Sequence, residues 1–468
     1  MSASRRLPSD VSVGSGSTAE LRQRRQTKLL VLIGWSAIVL PQVVQSLTAP
    51  KRRASVEAAA AGLTHLASLA RLGLTLALIC FAGWVVISSA RSMLKLRLLP
   101  LIVLLAPWVY LVIRDWYVTG RPAKEALLVP LVILALWALQ PRMAWLSTLG
   151  YLTVAAALVS IVMGLVDPSS AIYHSAQDDI VNVDKQILPG GMLIGFLTQP
   201  NSLAKFIVLG LPAVFLIQRV GIRAIGLGVC AFALVWTASR TSMFAGLVAC
   251  VMYGVLALVK SKASRRVLSA LGIAISMAVA AIIPFVVSSP TAFTNRGLIW
   301  QGSLPYWHAA PWFGQGADFY GELGRTSAAI AGAAFHAHNQ VVQFLVTGGI
   351  FYVVVAGAML WFVAVYAVRQ IGVGSMFGVV YMVTLAGTFA MEIPFPTVDN
   401  TTMIPVALIP LGLIAFSRDT PNPLAQIPAS SVSRPVADIR DEVQVCSRRT
   451  IDMLDNDHAS HVMVRNRG

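Results

Sequence analysis

Three side chains in this sequence have the types that group transfer to a hydroxyl needs. An imidazole titrates near neutral pH, so it can take a proton from an attacking hydroxyl. A guanidinium stays charged and can hold two phosphate oxygens at once, so it suits a leaving group that gains negative charge. His338 stands where a long polar stretch meets an apolar run, Arg296 lies within that stretch, and Arg240 opens another apolar run. We take His338 as the candidate catalytic base and Arg240 and Arg296 as candidate ligands of an anionic group. Asn339, Lys205 and Tyr320 are further candidate substrate contacts. Each has a plainer alternative. An arginine or lysine at a span end can be an anchor whose charged head reaches the interface. A histidine at a helix start can be a cap. Trp300, Trp307 and Trp312 could stack on sugar faces or belong to an interfacial aromatic belt. His336 reads as peripheral, and Gly348 and Gly349 as close-packing positions.

The elements that must hold these residues are membrane helices. Of 468 residues, 56% are hydrophobic and only 12% charged, and the mean hydropathy is +0.72. A water-soluble fold could not hide that much apolar surface, so the sequence specifies an all-α polytopic membrane protein. Apolar runs at 29–48, 72–90, 98–113, 126–140, 145–166, 201–217, 224–238, 241–259, 267–287, 339–366, 373–391 and 402–416 predict about twelve spans. The first has no cleavage pattern and reads as a span, not a signal peptide. Residues 1–28 read as a disordered basic cytoplasmic arm, 29–416 as the transmembrane domain, and 417–468 as a polar cytoplasmic tail. The net charge of +16 is explained by orientation in a bilayer and by an anionic lipid substrate, not by nucleic acid. With the N-terminus inside, the inward connections carry Arg91, Lys95, Arg97, Arg142, Arg219, Arg223, Lys260, Lys262, Arg265, Arg266 and Arg369 and no acid. Lys51, Arg52 and Arg53 break that pattern. Two outward segments, 167–200 and 288–338, are long, and long loops on a helical scaffold tend to carry function. The four cysteines, Cys80, Cys230, Cys250 and Cys446, form no disulfide or metal framework.

The second long segment also carries ordered motifs. Arg296 is followed by Pro311-x-x-Gly314-x-Gly316, then by His338-Asn339, Gly349 and Tyr352. Upstream stand Gly195-Phe196-x-x-Gln199-Pro200-Asn201-x-x-Ala204 and Ser239-Arg240. In this order the motifs resemble the O-antigen ligase and O-antigen polymerase superfamily of bacterial envelope glycan enzymes. The resemblance covers roughly 190–355 in motifs and the whole chain in span number and large late loop. It implies a GT-C-like fold. The implied reaction passes a glycan from a polyprenyl diphosphate carrier, its diphosphate held by Arg240 and Arg296, to a hydroxyl of a glycan, lipid or protein acceptor. The resemblance implies no cofactor and no metal, an active site facing the periplasm or cell exterior from the plasma (inner) membrane, and no nucleic-acid partner. The histidine spacing is that of the ligases.

The competing class is a transporter or flippase for a lipid-linked or anionic substrate. That class calls for midplane charges and related halves. The charges here gather at span ends, and residues 29–238 show no clear similarity to 241–416. The acids Asp178, Asp179 and Asp184 follow the fifth predicted span and read as solvated surface. Glu392 and Asp399 fall on the last outward turn, with no role assigned.

Overall fold

A computed structural model of the chain describes residues 14–49, 62–93, 96, 98–120, 128–173, 185–325, 336–395 and 401–418. Asp178, Asp179, Asp184 and Asp399 lie outside the described residues, as do residues 1–13 and the tail from 419 on. The described residues are almost wholly helical. In chain order the main helices are α1 (Gly14–Thr48), α2 (His65–Met93), α3 (Leu98–Thr119), α4 (Leu128–Leu139), α5 (Ser147–Val166), α6 (Pro200–Val214) and α7 (Val220–Thr237). There follow α8 (Arg240–Leu258), α9 (Lys262–Val286), α10 (Ala292–Ala309), α11 (Phe319–Arg325), α12 (Gln340–Gln370), α13 (Phe377–Phe389) and α14 (Ile409–Phe416). A two-residue antiparallel pair, β1 (Ile172–Tyr173) and β2 (Met192–Leu193), lies within the first long connecting segment, 167–200.

The twelve expected spans fall on helices, but among the described residues eight helices are long and apolar enough to cross a bilayer. The other four apolar helices, Leu128–Leu139, Pro200–Val214, Phe377–Phe389 and Ile404–Phe416, are shorter. The difference has a physical basis. A helix that is apolar on every side belongs inside protein, whereas one facing lipid leaves apolar side chains exposed. α6 is buried from Leu203 to Val214, and α13 is buried at every position except Gly387. The long helices instead expose Leu69, Leu72, Ile87, Leu247, Ile275 and Trp361.

The two short helices form the centre of the bundle. α6 packs on α5, α7, α8 and α13, and α13 packs on α8, α9 and α12 as well. Close approach depends on small residues, as is usual where helices pack in membranes. A Cβ on Gly150 would meet the Ala213 carbonyl, and one on Gly210 would meet Thr153.

Two expectations change. Residues 14–28 are not a disordered arm but the first turns of α1. The run Ala19-Glu20-Leu21-Arg22-Gln23-Arg24-Arg25-Gln26 consists of strong helix formers, and the helix, once nucleated in the apolar span, extends into it. An ion pair of 2.8 Å joins Glu20 to Arg142 in the connection before α5. The long segment 288–338 is also not simply a loop, since α10 and α11 lie within it.

Candidate active site

Glu392 follows the C-terminal end of α13 and is 1% exposed. A carboxylate buried this deeply must be paired, and it is paired twice. Arg296 donates through Nη2 to Oε1 at 2.6 Å. Lys205, on the second turn of buried α6, donates through Nζ to Oε2 at 3.4 Å. His338 Nδ1 lies 3.8 Å from Oε1. Arg296 Nη1 donates to Thr241 Oγ1 on the first turn of α8 at 3.0 Å. The imidazole of His336 sits on that of His338, with ring centroids 4.0 Å apart, and the His338 backbone N–H donates to His336 Nδ1 at 3.2 Å.

Local backbone breaks place these side chains at helix beginnings. Phe293, Thr294 and Asn295 are all left-handed, so regular helix resumes at Arg296. Ala238 is left-handed two residues before Arg240, and His338 is left-handed just before α12. Single left-handed residues other than glycine are uncommon and mark sites held by their surroundings. The N-terminal ends of α6, α8 and α12 and the restart of α10 thereby converge, and unpaired N–H groups at such ends favour anions.

The charges agree. Burial alone would push the Glu392 carboxyl up, but Lys205 and Arg296 override it and hold the group well below the usual carboxylate range. Burial pushes His338 below the ordinary imidazole value. Glu392 opposes that shift, while Arg296 and Lys205 add to it. His336 is pushed well down, by burial first and then by His338. Two fixed cations against one anion, with both imidazoles neutral, leave the cluster with a net positive charge. Its unmet need is for a negative ligand.

His336, His338 and Glu392 also place ligand atoms within 4.8 Å of one another, the geometry of a candidate metal site. Both oxygens of the carboxylate already face cations, however, so we read the three as a charge cluster and not as metal ligands.

The expected site residues divide. Lys205, Arg296 and His338 meet at Glu392. Arg240 is exposed at the start of α8, next to Thr241, which receives Arg296. Asn339, an expected substrate contact, is engaged within the fold. Its Oδ1 caps α12 by accepting from the N–H groups of Val341 and Val342, and its Nδ2 donates to the carbonyls of Ala280 and Ala390. Those four bonds use all its polar capacity. Tyr320 is likewise occupied. It is 2% exposed and donates to Ser303 Oγ at 3.0 Å, tying α11 to α10. His336, expected to be peripheral, lies against the candidate base.

Glu392 was the residue that sequence reasoning missed. Its signal was present, since an acid flanked by Ala390-Met391 and Ile393-Pro394 must be costly to bury and so marks a site.

The glycine motifs have a structural explanation. α12 breaks at Gly349 (φ 69°, ψ −168°), a conformation essentially reserved for glycine. The Pro311–Gly316 strap fills the break. The N–H groups of Gln315 and Gly316 reach the carbonyls of Val346 and Thr347, and Ile350 N–H reaches that of Pro311. α3 clamps the strap from the other side. Arg114 donates to the carbonyls of Phe313 and Gly314 at 2.9 and 2.6 Å, and Asp115 accepts from Ala317 N–H at 3.0 Å.

Residues 225–355 match the family model of O-antigen ligase. The match supports the O-antigen ligase/polymerase superfamily and, at a coarse level, glycan transfer by a multi-pass membrane enzyme of that type. No curated protein matches the chain. The matched segment contains Arg240, Arg296, the strap and His338. Lys205 and Glu392 lie outside it, so the counter-charge of Arg296 comes from beyond the matched segment, after the end of α13.

Proposed function

We propose that this protein transfers a glycan from a polyprenyl diphosphate carrier to an acceptor hydroxyl at the outer face of the plasma membrane, as O-antigen ligases do. The observation that carries the reading is the buried, net-positive cluster of Arg296, Lys205 and Glu392 with a neutral imidazole, His338, beside it. Arg296 and Lys205, with Arg240 at the edge, bind the carrier diphosphate and stabilise the charge it gains as the glycosidic bond breaks. His338 takes the proton of the acceptor hydroxyl, which attacks the anomeric carbon from the face opposite the diphosphate, so the configuration inverts. The diphosphate leaves with the bonding electrons, and the chemistry needs no nucleotide.

The test is transfer by the purified protein, with carrier-linked glycan and acceptor as its only substrates and a chelator present. Product should form without nucleotide sugar or ATP, and His338→Ala should remain folded while losing about 10²-fold or more in kcat. Transfer only from a nucleotide sugar, or full activity of His338→Ala, would overturn the reading.

A further inference from the structure

One carboxylate oxygen faces two groups. Oε1 of Glu392 takes the short bond from Arg296, at 2.6 Å, while His338 Nδ1 waits 3.8 Å from the same atom. That nitrogen is buried and has no hydrogen-bond partner. An unsatisfied buried nitrogen on a candidate base is costly. It is also informative, because a base whose second nitrogen is unbonded has neither a fixed tautomer nor a counter-charge for the imidazolium it forms.

We infer that Glu392 is a positioning residue that passes Oε1 from Arg296 to His338 when an anionic diphosphate enters the site. The inference rests on the proposed function and adds an order to it. A diphosphate carries more charge than a carboxylate, so it draws the Arg296 guanidinium toward itself. Lys205 keeps its place on Oε2. Oε1, released, accepts from Nδ1–H, and Nε2 becomes the atom that takes the acceptor proton. The acceptor oxygen bonds the anomeric carbon, the carbon–phosphate oxygen bond breaks with its electron pair on the carrier, and the proton rests on Nε2 of an imidazolium paired with Glu392. The base is therefore weak while the donor is absent, which guards the site against idle proton transfer.

The charged and titratable groups facing Glu392 are Lys205 from α6, Arg296 from α10, and His338 with His336 behind it. None of them reproduces the exchange without the carboxylate. The experiment compares two pH profiles of the wild-type enzyme. The profile of kcat/KM reports the donor-free protein and that of kcat the donor-bound one. The acid limb of kcat should lie at higher pH than that of kcat/KM. In Glu392→Gln, whose amide keeps the shape but not the charge, kcat should fall about 10²-fold and the two limbs should merge. Glu392→Asp should restore part of the separation. If the wild-type limbs coincide while transfer proceeds, the exchange is wrong and the proposed function stands. If no transfer from carrier-linked glycan occurs at all, the function itself has failed. The wild-type comparison decides the matter even where a variant does not fold.

Discussion

At the scale of single residues, the sequence shows chemistry that declares itself by type and hides chemistry that depends on pairing. Arg296 and His338 could be picked out because guanidinium and imidazole have few better uses in a polar segment next to a span. Glu392 showed only that it would be costly to bury; its role comes from what faces it, and its partners come from positions 205, 296 and 338. Its substitution should be costly in proportion. Glu392→Ala leaves two cations facing an apolar interior, and removing one side of a buried pair costs about 3–5 kcal/mol. Thermal unfolding in detergent should show that loss, and Glu392→Gln, which keeps the shape but not the charge, should regain only a small part of it. Acid should act in the same direction. His336 and His338 are held below the ordinary imidazole value. Their unfolded forms therefore bind protons first, and stability falls as pH drops below about 6.5. The Glu392 carboxyl is also held low, so its contribution is present above the usual carboxylate range and is lost only at still lower pH. Unfolding midpoints at pH 7.5 and 5.5 should differ in the wild type and converge in a double His336→Phe, His338→Phe protein.

At the scale of elements, hydropathy placed every apolar helix but could not say which ones touch lipid. α6 and α13 look like spans because they are apolar all round, and that same property makes them the buried centre. The break in α12 was equally hidden, since Gly348-Gly349 within a long apolar run fits both a close-packing site and an interruption. The backbone at Gly349 settles which. A Cβ there would meet the Trp312 carbonyl group, and one on Gly314 would crowd the backbone of Thr347 and Gly348. The glycines at 314 and 349 are thus two halves of one contact between strap and helix. Gly349→Ala should expel the strap, at a cost of several kcal/mol from strain at a glycine-only conformation and lost packing together. Arg114→Ala removes only the clamp on the carbonyls of Phe313 and Gly314 and should cost less, about 1–3 kcal/mol. Limited proteolysis within the strap would rank them: wild type slowest, Arg114→Ala next, Gly349→Ala fastest.

For the molecule as a whole, the question is which side of the membrane the cluster faces. The arginines and lysines that define an inward side lie at the far ends of the same helices whose other ends build the site. Lys260 and Lys262 flank the turn from α8 to α9, while Thr241 at the start of α8 receives Arg296. α8 has 19 residues, long enough to hold those two ends about 28 Å apart, close to the thickness of a bilayer's apolar core. A cluster on the Thr241 side must then open on the face opposite the basic turns. Two exposed positions test this in a protein freed of its four native cysteines. Ala263→Cys lies in the first turn of α9, beside the basic turn after α8, and Ser289→Cys lies beyond the end of α9, near the start of α10. A membrane-impermeant maleimide added to intact cells, with any outer membrane made permeable, should label position 289 and spare position 263 until the plasma membrane is opened. The reverse pattern would place Arg296, His338 and Glu392 on the cytoplasmic side. There nucleotide sugars are at hand, and a carrier-linked donor would lose its rationale.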